Sequence, residues 1–264
     1  MRWRSWRRSL GKGLVEPLLD LRRVRRRRGS EDGGFTLDID RLAIRPGERL
    51  ALIGDSGTGK STCLDMLSLT LAPSDWERFD THFDGTAQAI GALWRRGERS
   101  ALAVLRARYI GYVLQTGGLL PFLSVLENVA LPRRLLGEAP GPAREAAAAL
   151  LERLEMADYA RRLPASLSLG QRQRVAVARA LVHRPALVLA DEPTASLDQR
   201  NAESVLRLFT EILEEQGRAA IWVTHSAELA VSYGFTPIFC QPSPGETGAS
   251  RSVIFHDATA EGGA

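Results

Sequence analysis

Short apolar runs alternate with amphipathic stretches along most of this chain. FTLDIDRLAI, from Phe35 onward, switches between apolar and polar residues at the two-residue period of a half-buried strand. Arg45, Pro46 and Gly47 then turn the chain into RLALIG, a short and mostly apolar strand. A helix is predicted from about Lys60 to Leu69. Between Pro73 and Arg108 no period is clean, and Trp76, Phe79, Phe83 and Trp94 are scattered among charges; an inserted segment, part strand and part helix, is expected. YIGYVLQ reads as a buried strand ending at Gln115. Beyond Pro142, Ala147, Leu150, Leu151 and Leu154 recur at helical spacing, followed by a loop with Pro164 and another helix through RVAVARALV. ALVLAD (Ala186 to Asp191) and AIWVTH (Ala220 to His225) are two further apolar strands, joined by a helix around Ala202 to Leu213. That alternation predicts an α/β fold: a parallel sheet covered by helices, with ligands at the carboxyl ends of its strands. Asp191, Glu192 and His225 fall at such ends.

Composition narrows the class without naming it. With 264 residues, 44% hydrophobic and 25% charged, the chain is long enough for one large domain or a domain with a subdomain, and disorder throughout is excluded. Cys63 and Cys240 lack the paired spacing of a disulfide framework or a zinc site, which fits a reducing cytoplasm and two small core residues. No run approaches the roughly 20 apolar residues of a membrane span, and no uninterrupted apolar core of a secretory signal is seen near the start. Charge is uneven: residues 1–28 carry ten arginines and Lys12 against Glu16 and Asp20, a net of +9, so the remainder sums to −5 in a chain of +4. This arm, with Trp3 and Trp6, suits a solvated tail or contact with anionic lipid. Nucleic acid is not an expected partner, because no recognition module accompanies the charge.

The chemistry starts at LIGDSGTGKST, Leu52 to Thr62. Gly54, four residues, Gly59, Lys60 and Ser61 form the G-x-x-x-x-G-K-[ST] phosphate loop, so Gly54, Asp55, Ser56, Gly57, Thr58, Gly59, Lys60, Ser61 and Thr62 are the expected nucleotide-binding residues. Glycines let successive N–H groups curl toward phosphates, and the helix that follows adds its positive end. Lys60 is one of only two lysines here, the other being Lys12. A compact ammonium fits where the planar fork of arginine does not. The Ser61 hydroxyl is expected on Mg²⁺, with Asp191 holding the same ion through water and Glu192 as the base for the attacking water. A chain that turns at the end of a strand can aim both neighbouring carboxylates into one pocket.

ASLSLGQRQRVAVARALV, Ala165 to Val182, separates this loop from those of kinases and GTPases. Leu167, Ser168, Leu169, Gly170 and Gln171 resemble the LSGGQ signature of the nucleotide-binding subunit of ATP-binding cassette (ABC) transporters, a resemblance that covers about residues 19 to 235. It implies an ABC-type ATPase core of the phosphate-loop class, with an N-terminal antiparallel β part and a helical subdomain at about 116–170. It also implies that Ser168, Gly170 and Gln171 meet ATP held by a second subunit, so that a homodimer or heterodimer forms. Gln115 matches the glutamine that contacts Mg²⁺ and the water and senses an integral membrane permease; Ser196, Leu197 and Asp198 match the loop that communicates across the dimer. His225 matches the histidine that contacts the γ-phosphate. The resemblance thus implies catalytic roles for Lys60, Gln115, Glu192 and His225, and Mg²⁺ contacts for Ser61, Gln115 and Asp191. YVLQTGGLLPFLSVLENVALP is similar to the branch with lipoprotein-releasing, macrolide-export and cell-division ATPases, although its leucines and prolines equally suit packing within the subdomain.

Two positions depart from the pattern. Leu169 replaces the first glycine of the signature, and the adenine-stacking aromatic is replaced near Arg28, with Phe35 as the other candidate. The resulting expectation is a basic arm over 1–28, an ABC ATPase domain over 29–235 and a C-terminal hairpin and tail over 236–264. The implied function is an ATP-hydrolysing transporter subunit, peripheral on the cytoplasmic face of the membrane. The alternatives are an ABC ATPase that acts as an assembly factor without transport and a nucleotide-binding regulator without hydrolysis.

Overall fold

In a computed structural model of the chain, residues 16–29, 34–243 and 250–256 are described, so Trp3, Trp6 and Lys12 lie outside the described residues. The elements in order are β1 (Leu19–Arg28), β2 (Phe35–Ile44), β3 (Arg49–Ile53), α1 (Lys60–Leu67), β4 (Arg78–Thr81), β5 (Gln88–Ala89), α2 (Ile90–Arg95) and α3 (Arg99–Tyr109). There follow β6 (Ile110–Val113), α4 (Val125–Leu135), α5 (Pro140–Arg153), α6 (Leu169–Leu181), β7 (Leu187–Asp191), α7 (Gln199–Gln216), β8 (Ala219–Thr224), α8 (Ala227–Ser232), β9 (Thr236–Ser243) and β10 (Ser250–His256). The strands form one sheet in the order β5-β4-β1-β2-β10-β9-β3-β8-β7-β6. From β9 to β6 neighbouring strands run parallel, whereas β5, β4, β1 and β2 pair antiparallel.

Strand periodicity divides the core in two. Ala51, Ile53, Val113, Val188, Ala190, Ala220 and Trp222 point to one face and pack with α4 to α8. Leu50, Leu52, Leu187, Leu189, Ile221 and Val223 point to the other, with α1 to α3 and the inner face of the antiparallel strands. The helix between β7 and β8 shows the local logic. Val205, Leu206, Phe209, Ile212 and Leu213 recur on one face of α7 and are buried. Asp198 caps its start by accepting from Asn201 N at 3.1 Å, and Gly217, at φ 61°, ends it.

Two expected boundaries move. The basic arm over 1–28 does not run free to its end, because Leu19–Arg28 is β1. Leu19, Leu21 and Val24 enter the core, while Asp20 gathers guanidiniums from Arg22, Arg41 and Arg78. Arg23, at φ 47°, faces Asp40 one to one, and the buried positions change phase here in both strands, from Leu19 and Leu21 to Val24 and from Ile44 and Leu42 to Ile39. The C-terminal hairpin, expected to begin a separate segment at 236, is likewise built into the sheet: β9 pairs with β3 and β10 with β2, both parallel. Smaller differences concern ends. α1 stops at Leu67, with Leu69 at φ 59°, and Tyr109 closes α3 rather than opening β6, which ends two residues before Gln115.

Candidate nucleotide site

The loop between β3 and α1 lies at the carboxyl ends of β3, β7 and β8. Gly59 is the N-cap of α1 at φ 94°, a backbone region costly for side chains, and an added Cβ would stand 2.5 Å from Phe35 Cζ. An added Cβ on Gly54 would stand 2.8 Å from the carbonyl oxygen of Cys240. The loop is therefore pressed between β2 on one side and β9 on the other. Cys240 adds a thiol donation to Thr58 O at 3.1 Å, and burial raises both cysteine thiols above their ordinary value, so neither is a ready nucleophile. Lys60 is buried, its Nζ donating to Gly54 O at 2.8 Å and Asp55 O at 2.7 Å. An ammonium has three protons, and among the described residues the third has no protein acceptor.

Asp191 and Glu192 do converge on this loop. The Asp191 carboxyl lies above its ordinary value through burial, with the Ser61 hydroxyl beside it pulling the other way, Glu192 and Asp65 adding negative charge and Lys60 opposing them. Glu192 adopts φ 44° while its N–H still donates to Val223 O at 3.2 Å. This left-handed turn costs on the order of 1–3 kcal/mol and directs two successive side chains into one site. Glu192 Oε1 lies 2.7 Å from His225 Nε2, and His225 Nδ1 lies 3.0 Å from Gly54 O. Gly54 O can only accept, so Nδ1 is the donor in that contact, and Nε2 is the ring nitrogen turned to Glu192. Oε2 of Glu192 has no partner among the described residues.

Other expected residues sit elsewhere. Gln115 is exposed within a turn closed by Gly117 N donating to Leu114 O at 2.9 Å. Ser168 is the N-cap of α6, accepting from Gln171 N at 3.2 Å, while Gln171 Oε1 accepts from Ser168 N at 2.9 Å. Gln171, expected at the nucleotide, places its Oε1 in this capping box, and its Nε2 has no partner among the described residues. The Ser168 hydroxyl keeps its own proton for a ligand. Gly170 is buried against Asn201, and Leu169 is half-buried in the first turn. Among the described residues no hydrogen bond joins Ser168, Gly170 or Gln171 to the phosphate loop. Phe35 rests on Gly59, whereas Arg28, its cross-strand partner, is exposed.

Sequence reasoning missed three neighbours. Tyr112 donates to Asp65 Oδ1 at 3.5 Å, and burial raises both groups above their ordinary values. Only the fold brings this pair, from β6 and α1, beside Asp191. Cys240 was read as a core residue with no link to the loop it supports.

The residues present suit a hard divalent cation: the Ser61 hydroxyl beside the Asp191 carboxylate, oxygen donors alone. A model of the ABC transporter family matches residues 37–195. The lipoprotein-releasing system ATP-binding protein LolD of Novosphingobium aromaticivorans is 39% identical over 221 residues, 83% of this chain and 94% of the relative. The uncharacterized ABC transporter ATP-binding protein YbbA of Escherichia coli (strain K12) is 40% identical over 189 residues, 72% of this chain and 79% of the relative. Among solved structures, the dimeric ATP-binding cassette MJ0796 in a post-hydrolysis state bound to ADP and Pi matches with a TM-score of 0.73 at 30% identity, over 88% of this chain and 96% of that one. Sequence, fold and the convergence of Lys60, Asp191, Glu192 and His225 agree: the chain belongs to the ABC transporter family, as an ATP-binding subunit that hydrolyses ATP to drive transport.

Proposed function

We propose that two copies of this chain clamp ATP between the phosphate loop of one and Ser168 and Gly170 of the other, and that the pair drives a permease of the lipoprotein-releasing type from the cytoplasmic face of the membrane. The observation that carries this reading is the division of the site. Loop, Asp191, Glu192 and His225 converge within the chain, while Ser168 caps a helix that none of them touches by a described hydrogen bond. An N-cap serine with a free hydroxyl proton, at the positive end of a helix, suits a phosphate brought by a partner.

In this reading Lys60 and the loop N–H groups hold the β- and γ-phosphates. Glu192 Oε2 orients water and takes its proton as oxygen attacks the γ-phosphorus, and ADP leaves with the electron pair of the broken bond. His225, anchored on Gly54 O, turns its Nε2 from Glu192 Oε1 to a γ-phosphate oxygen when nucleotide binds, which frees the carboxylate. Ser61 and Asp191 would hold Mg²⁺, which would supply charge neutralisation between the phosphates, and Gln115 would approach from its exposed turn. Arg28 is the better candidate for the adenine face, since Phe35 is engaged with Gly59. Among the described residues no helix is long and apolar enough to cross a membrane, and in this reading the permease is a separate chain. The basic composition of residues 1–15 suits anionic headgroups. Phe122, 74% exposed after the Gln115 turn, offers an apolar contact for the permease. Extraction in mild detergent with the tagged chain as bait tests the proposal. A membrane protein with large extracytoplasmic domains is expected in the eluate; recovery of soluble proteins alone contradicts it.

A further inference from the structure

The helix that starts at Ser168 also grips the loop that carries Gln115. Gln173, buried on α6, donates Nε2–H to Leu114 O at 3.2 Å. Two turns on, Arg179 lays both guanidinium nitrogens on consecutive carbonyls, Nη2 on Gly117 O at 2.9 Å and Nη1 on Gly118 O at 2.7 Å. Those carbonyls are presented side by side because Gly117 and Gly118 take φ 73° and 57° in succession. Gly117 lies close enough to α6 that an added Cβ would reach Gln173 Oε1 at 3.5 Å and Ala176 Cβ at 3.8 Å. On its far side the same segment is held by Asn128, which accepts from Leu120 N at 2.8 Å and donates to Leu120 O and Leu123 O, each at 3.0 Å.

Arg179 has no carboxylate partner among the described residues. Its charge is met by the two carbonyl dipoles while burial pulls its guanidinium below the ordinary arginine value. A half-buried cation without a counter-ion is costly, and surface exposure or a neutral residue would avoid that cost. What an arginine gains here is geometry: one planar fork fixes two successive carbonyls, which a single ammonium cannot do.

We propose that Gln173 and Arg179 are positioning residues that fix the Gln115 turn to α6, so that the contact Ser168 makes with the partner's nucleotide and the contact Gln115 makes with its own site move as one body. Ser168 and Arg179 are eleven residues apart, about 16 Å along an unbroken helix, which can transmit a rotation but does not compress. This rests on the reading of Gln115 as a catalytic-site residue. Neither positioning side chain touches nucleotide; each acts through the backbone flanking Gln115.

A double-mutant cycle on the full chain tests the link. Arg179→Lys is expected to lower kcat about tenfold while KM for ATP stays within about twofold, because the phosphate loop is untouched. In a Gln115→Ala background, the same substitution should change kcat by less than about twofold. Gln173→Leu, which removes the donor to Leu114 O and keeps an apolar helix former, should repeat both results and stands in if Arg179→Lys does not fold. Equal losses in the two backgrounds overturn the positioning role alone. A Gln115→Ala variant with full kcat overturns the reading of Gln115 and the positioning role together. Full kcat in both Arg179→Lys and Gln173→Leu also overturns the proposal.

Discussion

Gly59→Ala puts the sharpest load on the nucleotide loop. The substitution asks alanine to hold φ 94°, at about 1–2 kcal/mol for a left-handed residue with a Cβ. It also drives that Cβ to 2.5 Å from Phe35 Cζ and 2.9 Å from Cε1, so the ring must move. Overpacking of that kind costs a further 1–3 kcal/mol, about 2–5 kcal/mol in all. The loop relieves this strain by leaving the conformation in which its N–H groups converge on phosphate, and even 2 kcal/mol corresponds to roughly a 30-fold loss of affinity. Titration with a fluorescent ATP analogue reads the loss, and thermal melting of the nucleotide-free protein separates it from unfolding. Phe35→Ala in the Gly59→Ala background should return the steric share, about tenfold in affinity, and leave the backbone share. A Gly59→Ala protein that binds within about twofold of the parent, or a loss that Phe35→Ala leaves untouched, refutes the reasoning.

Burial holds the Asp191 carboxyl above its ordinary value, so ionisation costs the folded chain more than the unfolded one. That cost grows as pH rises from the ordinary carboxylate range, about 4, through the raised native value. Asp191→Asn should therefore melt at a higher temperature than the parent at pH 7, with the gap narrowing toward pH 4, while hydrolysis is lost; a lower melting temperature at pH 7 contradicts the sign. Asp20→Ala removes the buried carboxylate on which Arg22, Arg41 and Arg78 converge and should cost about 3 kcal/mol in urea unfolding, with kcat per folded molecule retained. Leu169→Gly restores an unhindered first turn beside Ser168 and should raise kcat, by less than the roughly 100-fold that a complete transition-state donor commands. An unchanged rate removes Leu169 from the account.

Much of this site was legible before any coordinates. The phosphate loop, the strand ends at Asp191 and His225, and α6 behind Ser168 each carry a local pattern, because a glycine turn or an apolar run of five leaves its mark in consecutive residues. What stayed hidden arises from residues far apart in the chain. Cys240 reaches Thr58 through the pairing of β9 with β3, and Tyr112 reaches Asp65 across β6 and α1. Periodicity cannot announce such contacts. The arginines of β1 misled for a different reason: LRRVRRRR reads as a solvated run, yet in the folded sheet Arg25 meets Asp38 across the β1–β2 pair and Arg22 meets Asp20 of its own strand. Gln171 adds a local role that the resemblance does not announce, since its Oε1 closes the N-terminus of α6.

The composite site is tested most directly by mixing two inactive variants. Lys60→Ala disables the loop and Ser168→Ala the partner's contribution, so each homodimer has two broken sites. A mixed dimer combines the intact loop of one with the intact Ser168 of the other, and random pairing then restores about a quarter of parental ATP turnover. Recovery on mixing is the predicted result. A mixture that hydrolyses ATP no faster than its separate components contradicts a site shared between two chains.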